Sequence, residues 1–397
     1  MKSIVKKRVS ILAILGFILL STGLFCNNLD FYPKNNTNIS ILNSDIKIEI
    51  SNLKASQISS RIHINNNWTD AKSSGICNGS GTWNDPYVIK NLIIDGDNSS
   101  NCIEIQNSND YFRIENCSLF NAGSDWSSEY AGILLDHTNN GVLIDNNCSQ
   151  SMYGIFIKSY SVNNTVYNNY ANDNFYTGIS LNTFCSNNTI SGNCVNNNSA
   201  FGISISWNSQ NNSISKNNAT KNKIGLEIAS FSRGNIVKEN NFSYNTYLGG
   251  LTHGVRISRA ENNSIISNII NQNGWEGIQV YESNYNLFLN NSINNNGQFG
   301  INVEESDSNI VKFNSINNHI VGIYLDAQSR CNKILDNDYF GNGVDIQDLQ
   351  KNCEDVGLNP PPIDVLLISL TIVGLMILVT GTVLVLRNLF RIKMKNR

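Results

Sequence analysis

The chain has 397 residues, 15% charged and 41% hydrophobic, with a formal net charge of -3. That balance is too neutral for binding nucleic acid through phosphate neutralisation, so no nucleic-acid partner is expected. Length does not count domains here, because a repeat array grows along one axis and escapes the usual size limit on a single core.

Residues 1–26 place Lys2, Lys6, Lys7 and Arg8 ahead of an apolar run, the order of an export signal. No small-x-small cleavage site is clear, so the segment reads as a signal peptide or an uncleaved amino-terminal anchor. Residues 27–60 read as a polar linker and cap.

From residue 132 to 345 two marks recur. The first is Gly followed by an aliphatic residue, at Gly132, Gly154, Gly178, Gly202, Gly225, Gly254, Gly277, Gly300, Gly322 and Gly343. Nine subtractions give spacings of 22, 24, 24, 23, 29, 23, 23, 22 and 21 residues. The second is an aliphatic residue three places before an Asn, as in Val166/Asn169 and Leu287/Asn290. It predicts one Asn column: Asn147, Asn169, Asn193, Asn217, Asn240, Asn268, Asn290, Asn314 and Asn337.

Pairs such as Ile155 with Ile157 alternate like strand residues with one buried face. A unit of about 23 residues is too short for a helix-pair repeat and fits three short strands with three turns. Wound into a coil, each strand stacks about 4.8 Å from its counterpart. Equivalent residues then form columns, and a turn Asn can bond the Asn above and below. The Gly mark suits a turn of positive φ or a tight approach. Asn-rich sequence is also the composition of disordered tracts, but random richness would not hold two marks in phase over ten repeats. The expected array covers 61–350, with capping segments at both ends.

These repeats, as in GISISWNSQNNSISKNN (202–218), and the lead-in GTWNDPYVIKNLIIDG (81–96) resemble a known family. It is the right-handed parallel β-helix proteins whose repeat is shared by carbohydrate-binding proteins and sugar hydrolases, including NosD-type copper accessory proteins. The lead-in is similar to that of archaeal-type membrane-anchored surface proteins. The resemblance spans about 60–350 and implies an all-β, right-handed, three-sheet solenoid. It is specific for fold and weak for function.

Residues 351–362 end in three prolines and read as a spacer. Residues 365–386 carry no charge, so 363–386 is expected to be a transmembrane helix. The basic tail 387–397 places the carboxyl terminus in the cytoplasm and the array outside. The chain is then a single-pass or two-pass protein of the cell membrane. Outside the cell cysteines can pair. Cys331 and Cys353 lie one period apart and are the disulfide candidate; the other cysteines read as wall residues or further bridges.

Two segments break the period and read as loops, 121–130 and 244–253. Beside the second, repeat alignment gathers Arg256, Trp275, Tyr281, Glu282, Glu304, Glu305, Tyr324 and Asp326 on outward positions. Rings that stack on pyranose faces and polar groups that bond hydroxyls make them carbohydrate-binding candidates. The resemblance implies that lyases and hydrolases of this fold carry paired carboxylates or calcium-holding acids on such a face. No catalytic motif carries over. Calcium enters only if the protein acts on polysaccharide; no other cofactor and no metal site are expected. His63, His137, His253 and His319 never form a ligand pair, which argues against copper.

The sequence therefore reads as a membrane-anchored extracellular β-helix that binds or organises surface glycans or proteins without catalysis. A polysaccharide lyase or hydrolase, and a purely structural envelope protein, are the alternatives. Among the Asn-x-Ser/Thr sites, Asn163, Asn187, Asn211 and Asn262 are expected on an exposed turn.

Overall fold

The computed structural model describes residues 57–125, 128–246, 250–351 and 353. The expected amino-terminal signal or anchor, the proline spacer beyond 353, the 363–386 span and the basic tail lie outside the described residues. Among the described residues, no helix is long and apolar enough to cross a membrane. The array occupies the first of two compact units, ending at Asn352; of the second, only Cys353 is described.

The array is an all-β solenoid of three parallel sheets, and its strand order gives each sheet one strand per coil. The long sheet has 12 strands, from Ile62–Asn65 through Ile103–Gln106 and Ala131–Asp136 to Val344–Asp348. A second sheet has 11 strands, from Tyr87–Lys90 to Lys333–Leu335. The third consists of two four-stranded pieces, joined by single bridges through Tyr170, Cys194, Asn218 and Asn241. Parallel pairing in register stacks like on like: Ile155, Ile179, Ile203, Leu226, Val255, Ile278, Ile301 and Ile323 form one buried column. Aliphatic columns of this kind fill the interior, because a coil of 23 residues cannot bury its strands alone.

Strand pairing starts before the expected boundary, since Gln57–Ile58 already pairs with Leu92–Ile93. The first wall is formed by Tyr87 and Ile89, and Val88 faces outward. A short helix, Trp68–Ser73, covers this end. Trp68 stacks on Tyr87 at 4.8 Å and donates its indole N–H to Ser108 Oγ at 2.8 Å, which satisfies its one polar atom while the ring closes the core.

The expected single Asn column is one of three. Between the second and third sheets run Asn146, Asn169, Asn193, Asn217, Asn240, Asn268, Asn291, Asn314 and Asn337. Between the long and second sheets run Asn164, Asn188, Asn212, Asn235, Asn263, Asn286, Asn309 and Asn332. Ahead of the long sheet run Asn174, Asn198, Asn222, Asn245, Asn273 and Asn296, then His319 and Asn342. Asn217 shows the logic. Its Nδ2 donates to Ile190 O and Asn240 Oδ1, and its Oδ1 accepts from the N–H and Nδ2 of Asn193. A short amide thus satisfies the backbone groups that a sharp turn strands in the interior.

Two positions of the expected column are corrected. Asn147 belongs to the strand Asn147–Ser149, and Asn290 is exposed at φ 56. The ladder takes Asn146 and Asn291, because the residues that face the core three places earlier are Leu143 and Phe288. The Gly mark also resolves. Gly202 does not have positive φ; a Cβ there would meet Gly225 O at 2.6 Å and Asn222 Nδ2 at 2.7 Å. Close stacking of strand entries, and not turn geometry, excludes a side chain.

Cys331 and Cys353 are each disulfide-bonded, as is Cys194. Cys77, Cys102, Cys117, Cys148 and Cys185 are free and buried, packed among the core aliphatics. Burial pushes the Cys117 thiol up to about 11 and Cys102 up to about 12, so both stay protonated and behave as small apolar residues.

Candidate functional site

The outward face of the long sheet carries a groove over the strands Tyr153–Lys158, Thr177–Asn182, Phe201–Ser206, Ile224–Ala229 and His253–Ser258. Its volume is about 310 Å³. Small residues create it: Ser180, Ser204, Ser206, Ala229 and Ser258 line the floor, while bulkier neighbours rise on both sides. One wall is aromatic. Tyr153 meets Tyr176 edge to face at 5.5 Å, and Tyr176 meets Phe201 likewise at 5.6 Å. Trp207 and Arg259 line the opposite side.

In the floor, Glu227 is 7% exposed and its Oε1 lies 3.3 Å from the Arg256 guanidinium. Burial raises the Glu227 carboxyl above its ordinary range, and Arg256 pulls it back. Burial also raises the Tyr176 phenol, with Glu227 adding to it. The groove therefore presents two phenols kept neutral by burial, apolar ring faces, serine hydroxyls, the Glu227–Arg256 pair and, at one side, Arg259 held by Glu282. Among the described lining residues Glu227 is the one carboxylate, whereas glycoside hydrolysis uses two.

Of the sequence-derived candidates, Arg256 lines this groove and the other seven do not. Glu282 is bonded to Arg259 and lowered by that contact, then by Tyr281. Glu304 Oε1 accepts from Asn302 Nδ2 at 3.1 Å. Burial raises the Glu304 carboxyl, the Asn302 bond opposes the shift, and Glu276, Asp326 and Glu305 add to it. Asp326 is 8% exposed and accepts from the Ser329 N–H and hydroxyl at 2.8 and 2.6 Å, with the Glu305 N–H at 3.3 Å. It is a turn-forming residue whose Oδ1 is engaged by the Ser329 turn. Tyr324 packs on Phe299 at 5.3 Å, and Trp275 is 39% exposed beyond the groove.

Sequence reasoning missed Glu227, Tyr176 and Trp207. The signal was available: Glu227 interrupts a column of serines one coil before Arg256. Of the two long loops, Trp126 and residues 247–249 lie outside the described residues. Both loops enter the same edge of the long sheet, ahead of Ala131–Asp136 and His253–Ser258, five strands apart.

Residues 74–242 match the family model described as right handed beta helix region, and residues 248–362 match the model described as periplasmic copper-binding protein (NosD). No curated protein matches in sequence. Among solved structures, the Azotobacter vinelandii mannuronan C-5 epimerase AlgE4 A-module superposes with a TM-score of 0.53 at 15% identity, covering 67% of this chain and 82% of that one. The periplasmic alginate epimerase AlgG gives 0.51 at 16% identity, covering 75% and 82%. The A-module of the Azotobacter vinelandii epimerase AlgE6 gives 0.51 at 14%, covering 69% and 89%. At these identities the likeness is one of fold.

Two of the four histidines that a copper site could draw on are engaged elsewhere. His253 sits against Glu276, and His319 takes a ladder place between Asn296 and Asn342. Among the described residues no three His, Cys, Asp or Glu side chains converge to hold a metal. The two family models tile residues 74–242 and 248–362, and with the three-sheet coil they support placing the repeat array in the right-handed β-helix repeat family.

Proposed function

We propose that this protein is an exported, membrane-tethered β-helix that binds surface glycans in the long-sheet groove without acting on them chemically. The observation that carries the reading is the groove itself, a serine floor beneath Tyr153, Tyr176, Phe201 and Trp207 with the Glu227–Arg256 pair set into it. Rings offer flat apolar faces to the C–H faces of sugars, and hydroxyls, amides and charged groups bond the rim. The superposed folds are named for acting on mannuronan or alginate, both polysaccharides, which agrees with a sugar-facing surface. The lone groove carboxylate favours binding over a two-carboxylate hydrolysis.

Export and tethering rest on the basic-then-apolar start, the uncharged stretch 365–386 and the basic tail. The periplasmic description of the second family model points the same way for the array. A glycan array probed with the purified full-length chain tests the binding. Retention of a defined sugar class, weakened at least tenfold by Arg256→Ala, is the expected result. Silence across neutral and acidic glycans, or release of reducing or unsaturated ends from a bound polymer, overturns it. Recovery of the chain in the alkaline-extracted soluble fraction rejects the tether.

A further inference from the structure

The chain holds nine cysteines, and eight of them lie among the described residues. Cys77, Cys102, Cys117, Cys148 and Cys185 are free. Cys194, Cys331 and Cys353 are each disulfide-bonded. Three bonded cysteines cannot pair among themselves alone, so one of them needs a partner outside the described residues. The ninth cysteine is Cys26.

Position decides which of the three it takes. Lys351 pairs with Arg330, and its N–H donates to Ser329 O at 3.0 Å, so the chain two residues before Cys353 runs beside the residue before Cys331. Those two cysteines are neighbours. Cys194 follows the long-sheet strand Thr177–Asn182, and Cys331 follows Val321–Leu325, six strands further along. At 4.8 Å per coil that is about 29 Å, well beyond the ~7 Å that a disulfide allows between Cα atoms.

Cys194 also points away from the core. Val195 is packed among the core aliphatics and Cys194 is not. Its sulfur lies 3.0 Å from the donating Asn196 Nδ2, and its register mates Tyr170 and Asn218 are half-buried on the third sheet. Gln57–Ile58, where the described chain begins, is a strand of that same sheet. Pairing runs from Ile58 through Ile93, Ser118, Asn147 and Tyr170 to Cys194, a distance of about 24 Å at the strand spacing. The 30 residues between Cys26 and Gln57 reach up to about 100 Å when extended, so the chain spans it with ease.

We propose that Cys26 and Cys194 form a disulfide that staples the amino-terminal segment to the flank of the array, on the face where the third sheet is reduced to single bridges. The oxidant is an oxidised dithiol carrier of the compartment to which the chain is exported. The Cys194 thiolate attacks one carrier sulfur, and the Cys26 thiolate then attacks Cys194 Sγ in the mixed disulfide. The carrier leaves as a dithiol with the two electrons and two protons. The mature chain therefore keeps Cys26, and any signal cleavage falls before it. Because Cys26 directly follows the apolar run 11–25, a run left uncleaved becomes a second attachment, at the flank of the array. The staple is independent of the groove.

The test uses full-length chain exported by a host with a disulfide-forming envelope, denatured without reductant, alkylated and mapped by mass spectrometry. Five labelled thiols are expected, with Cys331 linked to Cys353 and Cys26 linked to Cys194. Cys26→Ser should raise labelling of Cys194 at least tenfold and leave Cys331 unlabelled. A cut within 27–56 should release the amino-terminal fragment only after reduction. Labelling of Cys194 in the parent while Cys331 stays protected overturns the staple and leaves export standing. Labelling of Cys194, Cys331 and Cys353 together overturns export as well. A band of doubled mass without reductant that carries Cys194 linked to a second copy overturns the staple, as does a mature chain that begins after Cys26.

Discussion

His253 Nδ1 lies 3.1 Å from Glu276 Oε2, and each side chain is 2% exposed although both stand on the outward side of the long sheet. Asn302 Nδ2 donates to the other oxygen of Glu276 at 2.6 Å. Neither of these two atoms has another polar partner, so removing the imidazole leaves a buried carboxyl oxygen with no neighbour to bond, at a cost of about 1–3 kcal/mol. His253→Ala should therefore lower the urea midpoint sharply, and adding Glu276→Gln should recover more than half of the loss. Additive losses in the two variants, read by equilibrium denaturation, would count against coupling.

The ladder register separates two neighbouring amides. Asn291 is buried and bonds Ile265 O, Asn314 and Asn268, while exposed Asn290 makes one bond to Ser267 Oγ. Asn291→Ala strands at least two buried backbone groups and should cost about 3 kcal/mol. Asn290→Gly keeps the positive φ and should shift stability by about 0.5 kcal/mol or less. Equal effects in thermal melts would place the ladder one residue earlier.

His319 replaces Asn in the third ladder, and burial lowers its imidazole to about 4, with the Asn342 bond acting the other way. The unfolded chain, near 6.5, then takes up the proton first. Its contribution is complete above 6.5 and is lost as pH falls towards 4, by about 3 kcal/mol at most. Glu227 and Glu304, whose carboxyls are raised, act in the opposite sense, so the comparison must be with His319→Asn. That variant should lose the His-dependent part of the slope between pH 7 and 4.5. Parallel denaturation curves for the two proteins across this window are the contrary result.

Gly202→Ala tests the close stacking of strand entries. The added methyl meets backbone oxygen at 2.6 Å and cannot be relieved by a rotamer change, so a cost of about 2 kcal/mol is expected from overpacking. Gly250→Ala has Lys223 carbon at 3.5 Å as its nearest neighbour and should be near neutral. Matched melting temperatures would remove the steric account.

The coil was legible because periodic burial forces periodic sequence. Ile155, Ile179 and Ile203 announce their column by type alone. Register at the turns was less legible: 287–291 reads Leu-Phe-Leu-Asn-Asn, and two frames satisfy the same rule until burial of Phe288 selects one. The groove was the least legible part. Its floor is defined by small residues that allow a hollow, and Ser180 or Ser204 carries no chemical mark of that role. Arg256 was visible by charge, but Glu282 and Asp326 drew attention by charge as well and are committed to Arg259 and to the Ser329 turn.

Three amide ladders in phase have a consequence for length. Because Asn188, Asn193 and Asn198 donate to the following coil and accept from the preceding one just as Asn212, Asn217 and Asn222 do, one coil is interchangeable with the next. Duplicating or excising a whole coil changes the height of the stack in steps of about 4.8 Å and leaves the interior chemistry unaltered. Height is thus a quantised, heritable property of this scaffold, adjustable by recombination between repeats without a new core having to be invented.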